Sequence, residues 1–195
     1  MGNSTNETDL DSMKGTVVRV FQIEAPPERV FRAFTDKHDV EEWMADHYEI
    51  EPRKGGKWRM GGEKDGFVAT GELLDIVPNQ LLVYTWQMND YDAETGKKIP
   101  NWMDANPTKV TLRFERAGRG TKVTVKHEGF PERDESYWGV DVGWDMLAGQ
   151  VLKYYLEHSQ AEFDRWWKEN ESSWQERMQK AVETRLKTGS AREVK

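Results

Sequence analysis

The order of local patterns predicts an α+β domain. It consists of a curved antiparallel sheet of about seven strands wrapped on a long C-terminal helix, with two short helices after the first strand. Three observations carry this. Short runs rich in β-branched and aromatic residues recur between residues 16 and 128, separated by Gly, Pro, Asn and Asp, as in an antiparallel meander. A helical interval follows the first run. From Tyr137 the apolar spacing becomes helical and stays so.

The elements follow in order. Residues 1–14 are small, polar and acidic without apolar period and are expected to form a disordered leader. "TVVRVFQI" opens the domain as a strand. In "EAPPERVFRAFTD" the prolines suit a first helical turn, and Val30, Phe31 and Phe34 share a face. "DVEEWMAD" makes a second short helix, capped by Asp39, with Val40, Trp43 and Met44 on one side. Six strand candidates come next: "HYEIE", "GKWRM", "FVATGELLDIV", "QLLVYTWQM", "KVTLRFER" and "TKVTVKHEG". "VPNQ" and "RAGRG" are turns, and "NDYDAETGKKIPNWMDANP" is an insertion-like loop.

The long helix carries Val140, Trp144, Leu147, Ala148, Val151 and Tyr155 on one stripe. Unbroken to Leu186 it would reach about 75 Å at roughly 1.5 Å per residue, more than a small domain covers. A break is expected at "NESSWQERM", where Ser173 and Glu176 have capping-box spacing, and Gly189 stops the last helix. The domain is therefore expected at 15–160 and an amphipathic helical extension at 161–195.

Composition limits the function. The chain has 195 residues, suited to one sizeable domain, with nine Trp, seven Phe and six Tyr as bulky core material. A net charge of -7 argues against general affinity for nucleic acid or anionic membrane. The absence of cysteine rules out disulfides and thiolate ligands and fits a reducing compartment, so a cytoplasmic protein is expected. No apolar run approaches the roughly 20 residues of a membrane span, and the N-terminus lacks a signal-peptide core. Asn6 stands where a myristoylation motif wants Ser or Thr.

"IEAPPERVFRAFTDKHDVEEWM", "PRKGGKWRM", "GELLDIVPNQLLVYTW", "TKVTVKHEGF" and "GWDMLAGQVLKYYLE", in this order, resemble the START-like helix-grip (SRPBCC) superfamily. Within it they are most similar to the branch of the C-terminal domain of the activator of heat-shock protein 90 ATPase. The resemblance covers about residues 16–160. It implies a helix-grip fold with a cavity between sheet and long helix, in a superfamily that includes lipid carriers, hormone-binding proteins, cyclases and co-chaperones. The chain is expected to lack the separate N-terminal domain of the full co-chaperone.

Several stretches invite chemistry. "EPRKGGKWRMGGEKDG" has the glycines and basic residues of a phosphate loop, but no Lys-Ser/Thr pair follows Gly61 and strands flank it. Two turns around a short strand are expected instead, with Trp58 facing inward. In "TKVTVKHEG" alternation puts His127 on the buried face with Val123 and Val125. There it would orient a polar ligand group or act as acid or base, or else be held by hydrogen bonds at a pocket rim. Tyr84 and Trp86 share a face, as do Leu112 and Phe114, while Trp144 and Leu147 look in from the helix. With Trp43 and Trp58 closing the ends, these nine residues are either a ligand-cavity wall or a packed core. "DYDAETG" begins like a calcium loop, but Gly96 falls one place late and Asn101 stands at the twelfth position. His38, His47, His127 and His158 show no metal-binding spacing. No metal and no cofactor are expected.

Phe163, Trp167, Trp174, Met178 and Val182 form an apolar stripe in the extension, for packing on the domain or for a homodimer or protein partner. The expected function is binding of a hydrophobic or amphipathic small molecule. A cyclase- or hydrolase-type enzyme using the same cavity, or a co-chaperone-like interaction module, is the alternative.

Overall fold

The computed structural model describes residues 15–189; the expected leader and residues 190–195 lie outside these. β1 (Thr16–Ile23) leads into α1 (Pro27–Thr35) and α2 (Lys37–Trp43). β2 (Tyr48–Ile50), β3 (Lys57–Gly62), β4 (Phe67–Val77), β5 (Leu81–Tyr91), β6 (Lys98–Ile99), β7 (Thr108–Ala117) and β8 (Gly120–Glu128) complete one antiparallel sheet. Its order is β1-β8-β7-β5-β4-β3-β2, with β6 beside β5. The sheet thus has eight strands; the one beyond the expectation is β6, two residues inside the long loop. β8 buries one face: Val123, Val125 and His127 are at most 1% exposed, because a period of two sends alternate side chains into the core.

The turns form where the local chemistry requires them. Asn79 in "VPNQ" and Gly118 in "RAGRG" have positive φ. In the glycine-rich stretch the first turn precedes Lys57, but Gly61 and Gly62 still belong to β3, and the second turn is the short 3₁₀ segment Glu63–Asp65. Lys57 pairs with Glu72 across the outer face and Arg53 with Glu51 at 2.6 Å. These basic residues solvate the sheet.

α1 begins with Pro27 in its first turn, and its Phe31 and Phe34 meet Phe114 edge-to-face at 5.4 and 5.6 Å. α2 is capped by Asp36, which accepts from the Asp39 N–H, and not by Asp39 as expected. Asp39 is instead 1% exposed and accepts from Arg29, Arg32 and the Tyr155 hydroxyl at 3.0, 2.7 and 2.7 Å. A buried carboxylate requires such partners, so it has no capacity left for a cap.

The long helix runs through α3 (Glu135–Gly143), a π-helical segment (Trp144–Leu152) and α4 (Lys153–Glu157). The π segment widens the turn and shifts the stripe. Met146 is therefore fully buried, whereas Leu147, expected inside, is half-buried. The helix stops at His158, and Ser159 opens α5 (Gln160–Thr188) through a capping box with Glu162. The break thus comes at Ser159, not Ser173, whose hydroxyl bonds the Asn170 carbonyl of its own helix. The reversal at residue 158 brings Phe163 onto Tyr155 (5.2 Å) and stacks Trp166 on Tyr154 (4.7 Å). Gly189, in the left-handed region, ends α5 as expected.

The 29 residues of α5 reach about 43 Å, long enough to run back along α3. There Arg185 enters a buried cluster with Asp141 and Asp145, which Arg19 of β1 joins, its Nε 2.7 Å from Asp145. Arg185 and Asp141 are 2% and 0% exposed. Removing one member leaves a buried charge uncompensated. Arg185→Ala should therefore cost about 3–5 kcal/mol in urea denaturation, and a loss below about 1 kcal/mol would show that the cluster does not hold α5 to the domain.

Candidate functional site

The concave face has two ends with different chemistry. At one end β8 and β7 place His127 opposite Val110, with Thr108 two residues away on β7. Trp144, on the π segment, donates its indole N–H to His127 Nδ1 at 3.2 Å. An indole is a donor only, so Nδ1 carries the lone pair and the ring proton sits on Nε2. That N–H meets Thr108 Oγ1 at 2.7 Å, and the hydroxyl donates onward to the Trp86 carbonyl at 2.9 Å. The chain of three hydrogen bonds is complete. Both imidazole nitrogens are occupied in a residue 1% exposed, so neither a lone pair nor a proton is free for a reacting molecule. Burial lowers the His127 pKa to about 3.

At the other end, beneath α2 and over β2–β5, a cavity of about 20 Å³ remains. That is room for roughly one water, which needs about 10–15 Å³. Its wall is almost wholly apolar and includes Phe34, Val40, Met44, Tyr48, Ile50, Trp58, Met60, Leu73, Leu82, Tyr84 and Trp86. Met44 and Ile50 are only half-buried and form the rim. Strand geometry explains the wall: Tyr48 and Ile50 alternate inward on β2, opposite Met60 and Trp58 of β3. Trp58 lies across Gly71, and its indole donates to the Thr85 carbonyl at 3.1 Å. A Cβ at Gly71 would stand 2.5 Å from that indole nitrogen and 1.8 Å from the carbonyl oxygen, so only glycine lets the two strands approach around this ring. Trp58 meets Tyr84 and Trp86 at 5.4 and 5.1 Å between ring centroids. Burial pushes the Tyr48 and Tyr84 phenols up from their ordinary values, so both stay protonated.

Of the nine residues singled out from sequence, Trp58, Tyr84 and Trp86 come together on this wall. Trp43 closes the same end from behind, its indole bonded to the Ala33 carbonyl and its ring against Phe34. Leu112, Phe114, His127 and Trp144 are packed into the core, and Leu147 is half-buried on the helix. Sequence reasoning missed Tyr48, Ile50, Met44 and Met60 as wall residues. Their signal was the inward alternation of "HYEIE" and "GKWRM" and the apolar side of α2. The outer face of the same strands carries a groove bordered by Glu49, Glu51, Lys57, Arg59 and Glu72; its mixed charge selects no ligand class. Among the described residues no group of His, Cys, Asp or Glu is arranged for a metal, and no helix is long and apolar enough to cross a membrane.

A curved antiparallel sheet closed by two short helices and gripping a long one defines a helix-grip α+β domain. The chain belongs to the family of Activator of Hsp90 ATPase homolog 1-like proteins, which it matches over residues 24–157. It is 26% identical over 131 residues to the human Activator of 90 kDa heat shock protein ATPase homolog 1, covering 67% of this chain and 32% of that protein; the mouse relative gives the same values. The chain thus spans about a third of the length of the curated relatives it matches. A solved Mesorhizobium loti protein has 27% identity and a TM-score of 0.56, over 77% of this chain and 97% of that one. CalU16 from Micromonospora echinospora (22% identity, TM-score 0.57, 87% and 84% coverage) shares the fold. So does the Aha1 dimer from Colwellia psychrerythraea (18%, 0.57, 74% and 98%). The family match ends at the last residue of α4, so α5 lies outside it.

The buried imidazole makes stability pH-dependent. Its folded pKa of about 3 lies below the unfolded value of roughly 6.5, so the unfolded chain takes up the proton first. The contribution is fully present above about pH 6.5 and is lost as pH falls toward 3, at up to about 1.4 kcal/mol per pH unit. In urea denaturation between pH 7 and pH 4.5, His127→Leu should be less stable than wild type at pH 7 but decline less steeply. Parallel declines would contradict a neutral buried imidazole.

Proposed function

We propose that this cytoplasmic domain binds a compact hydrophobic or amphipathic small molecule in the aromatic pocket beneath α2. The observation that carries the reading is the cavity beneath α2 in the concave face described above. The His127 end is filled and its hydrogen bonds are closed, whereas the α2 end keeps a cavity with an aromatic wall and a half-buried rim. Met44 and Met60 have flexible, polarizable side chains that repack at low cost, so a molecule larger than water enters by displacing them. The ionisable groups of the wall are two tyrosines. With no carboxylate, imidazole or amine there to pair as acid and base, binding fits better than a cyclase- or hydrolase-type reaction.

A second reading rests on the names of the relatives, activators of a 90 kDa heat shock protein ATPase. In it the domain is a co-chaperone-like module that uses its surface, and stimulation of that ATPase by the purified chain would favour it.

The binding reading is tested by the melting temperature of the full chain with benzene, indane, naphthalene and decanol. A molecule that binds only the native state at 100 times its Kd adds about 2.7 kcal/mol, or roughly 5–10 °C in a domain of this size. No shift with any of the four, and nothing retained in native mass spectrometry of the purified protein, would overturn it.

A further inference from the structure

The pocket wall carries an unmatched donor. Three tryptophans of the core place their indole N–H on an acceptor: Trp43 on the Ala33 carbonyl, Trp58 on the Thr85 carbonyl and Trp144 on His127. Trp86, 8% exposed and surrounded by Trp58, Tyr84, His127 and Trp144, has none: its buried Nε1 has no hydrogen-bond partner. Buried donors are seldom left unpaired, because the lost hydration is not replaced. Two residues earlier on the same face of β5, Tyr84 also lines the pocket. Among the described residues nothing hydrogen-bonds to its hydroxyl. Two residues of the wall thus each carry a donor with no protein acceptor, and no cationic side chain stands with them.

This selects a ligand class. An anion would lose its hydration with no counter-charge nearby, which is costly in an apolar site. A pure hydrocarbon would leave both donors unmatched. A neutral acceptor oxygen on an apolar body satisfies them and fits the remaining wall. Resting on the pocket reading above, we propose that the ligand is a neutral, largely apolar molecule bearing a carbonyl or ether oxygen, received by the Trp86 indole N–H with the Tyr84 hydroxyl beside it. The smallest alternative occupant is a single buried water.

The test compares 1-indanone with indane, which share a ring skeleton and differ by the carbonyl oxygen. Affinities are measured by calorimetry on the full chain, and the Trp86 indole N–H is followed by ¹⁵N NMR. 1-Indanone should bind at least tenfold more tightly than indane and move the Trp86 N–H resonance downfield, whereas indane should not. Trp86→Phe should reduce the advantage of 1-indanone over indane to within about twofold, with both affinities measured on the variant. Tyr84→Phe should narrow it too, and serves if Trp86→Phe fails to fold. Equal affinity for the two molecules, with the Trp86 N–H cross-relaxing to water, would assign the donor to a water and overturn the acceptor proposal while the pocket reading stands. So would an advantage that survives both substitutions. If neither molecule binds, this inference fails, and the melting-temperature and mass-spectrometry test above decides the pocket reading separately.

Discussion

A neutral imidazole on β8, buried between the sheet and the long helix, holds the two together. Trp144 donates to it from the helix, and it donates through Thr108 to the backbone of β5, so one chain of hydrogen bonds joins helix, two inner strands and a third. In a low-dielectric interior such a chain tolerates little displacement, because each broken link strands a buried polar atom. The helix is pinned at its π segment. A cavity remains at the α2 end.

A second polar anchor works from outside. Asp39 ties α1 and α2 to Tyr155 near the end of the long helix, and burial, with the Asp39 carboxylate beside it, pushes the Tyr155 phenol up to about 12. The Arg19–Asp141–Asp145–Arg185 cluster fastens the far end of α5 to the start of the long helix. Between the hinge and the cluster, Phe163 and Trp174 are buried, and Arg177 stands over Trp174 while donating to Gln150. The apolar stripe of the extension is thus largely spent on its own domain.

The strands were legible because alternation is local: Val123, Val125 and His127 had to share a face whatever their neighbours. The two short helices were legible from Pro27 and the Phe31–Phe34 spacing. The hinge was not. Ser159 and Ser173 offer the same cap spacing, and which one breaks the helix depends on where Tyr154 and Tyr155 can receive Trp166 and Phe163, a tertiary fact. Leu147 left the inward stripe, and Met146 is buried instead, because a π segment changes the helical phase, and no residue in "WDMLAGQVL" announces that. Asp39 looked like a cap because the arginines that bury it lie on the preceding helix. His127 was placed on the buried face correctly, but its partners Trp144 and Thr108 come from elements distant in sequence, so its role as a closed link could not be read from its own strand. The pocket wall was legible where β5 supplied Tyr84 and Trp86, and hidden where short β2 and the end of α2 supplied the rim.

The grip is closed around His127 and keeps a cavity beneath α2. Xenon under pressure tests it directly, since the atom is apolar, enters small hydrophobic cavities and makes no hydrogen bonds. A crystal so treated should show xenon between Met44, Trp58 and Tyr84, with the rim side chains displaced and none beside the His127–Trp144 pair. Xenon against His127, or a core that admits none at all, would contradict the account.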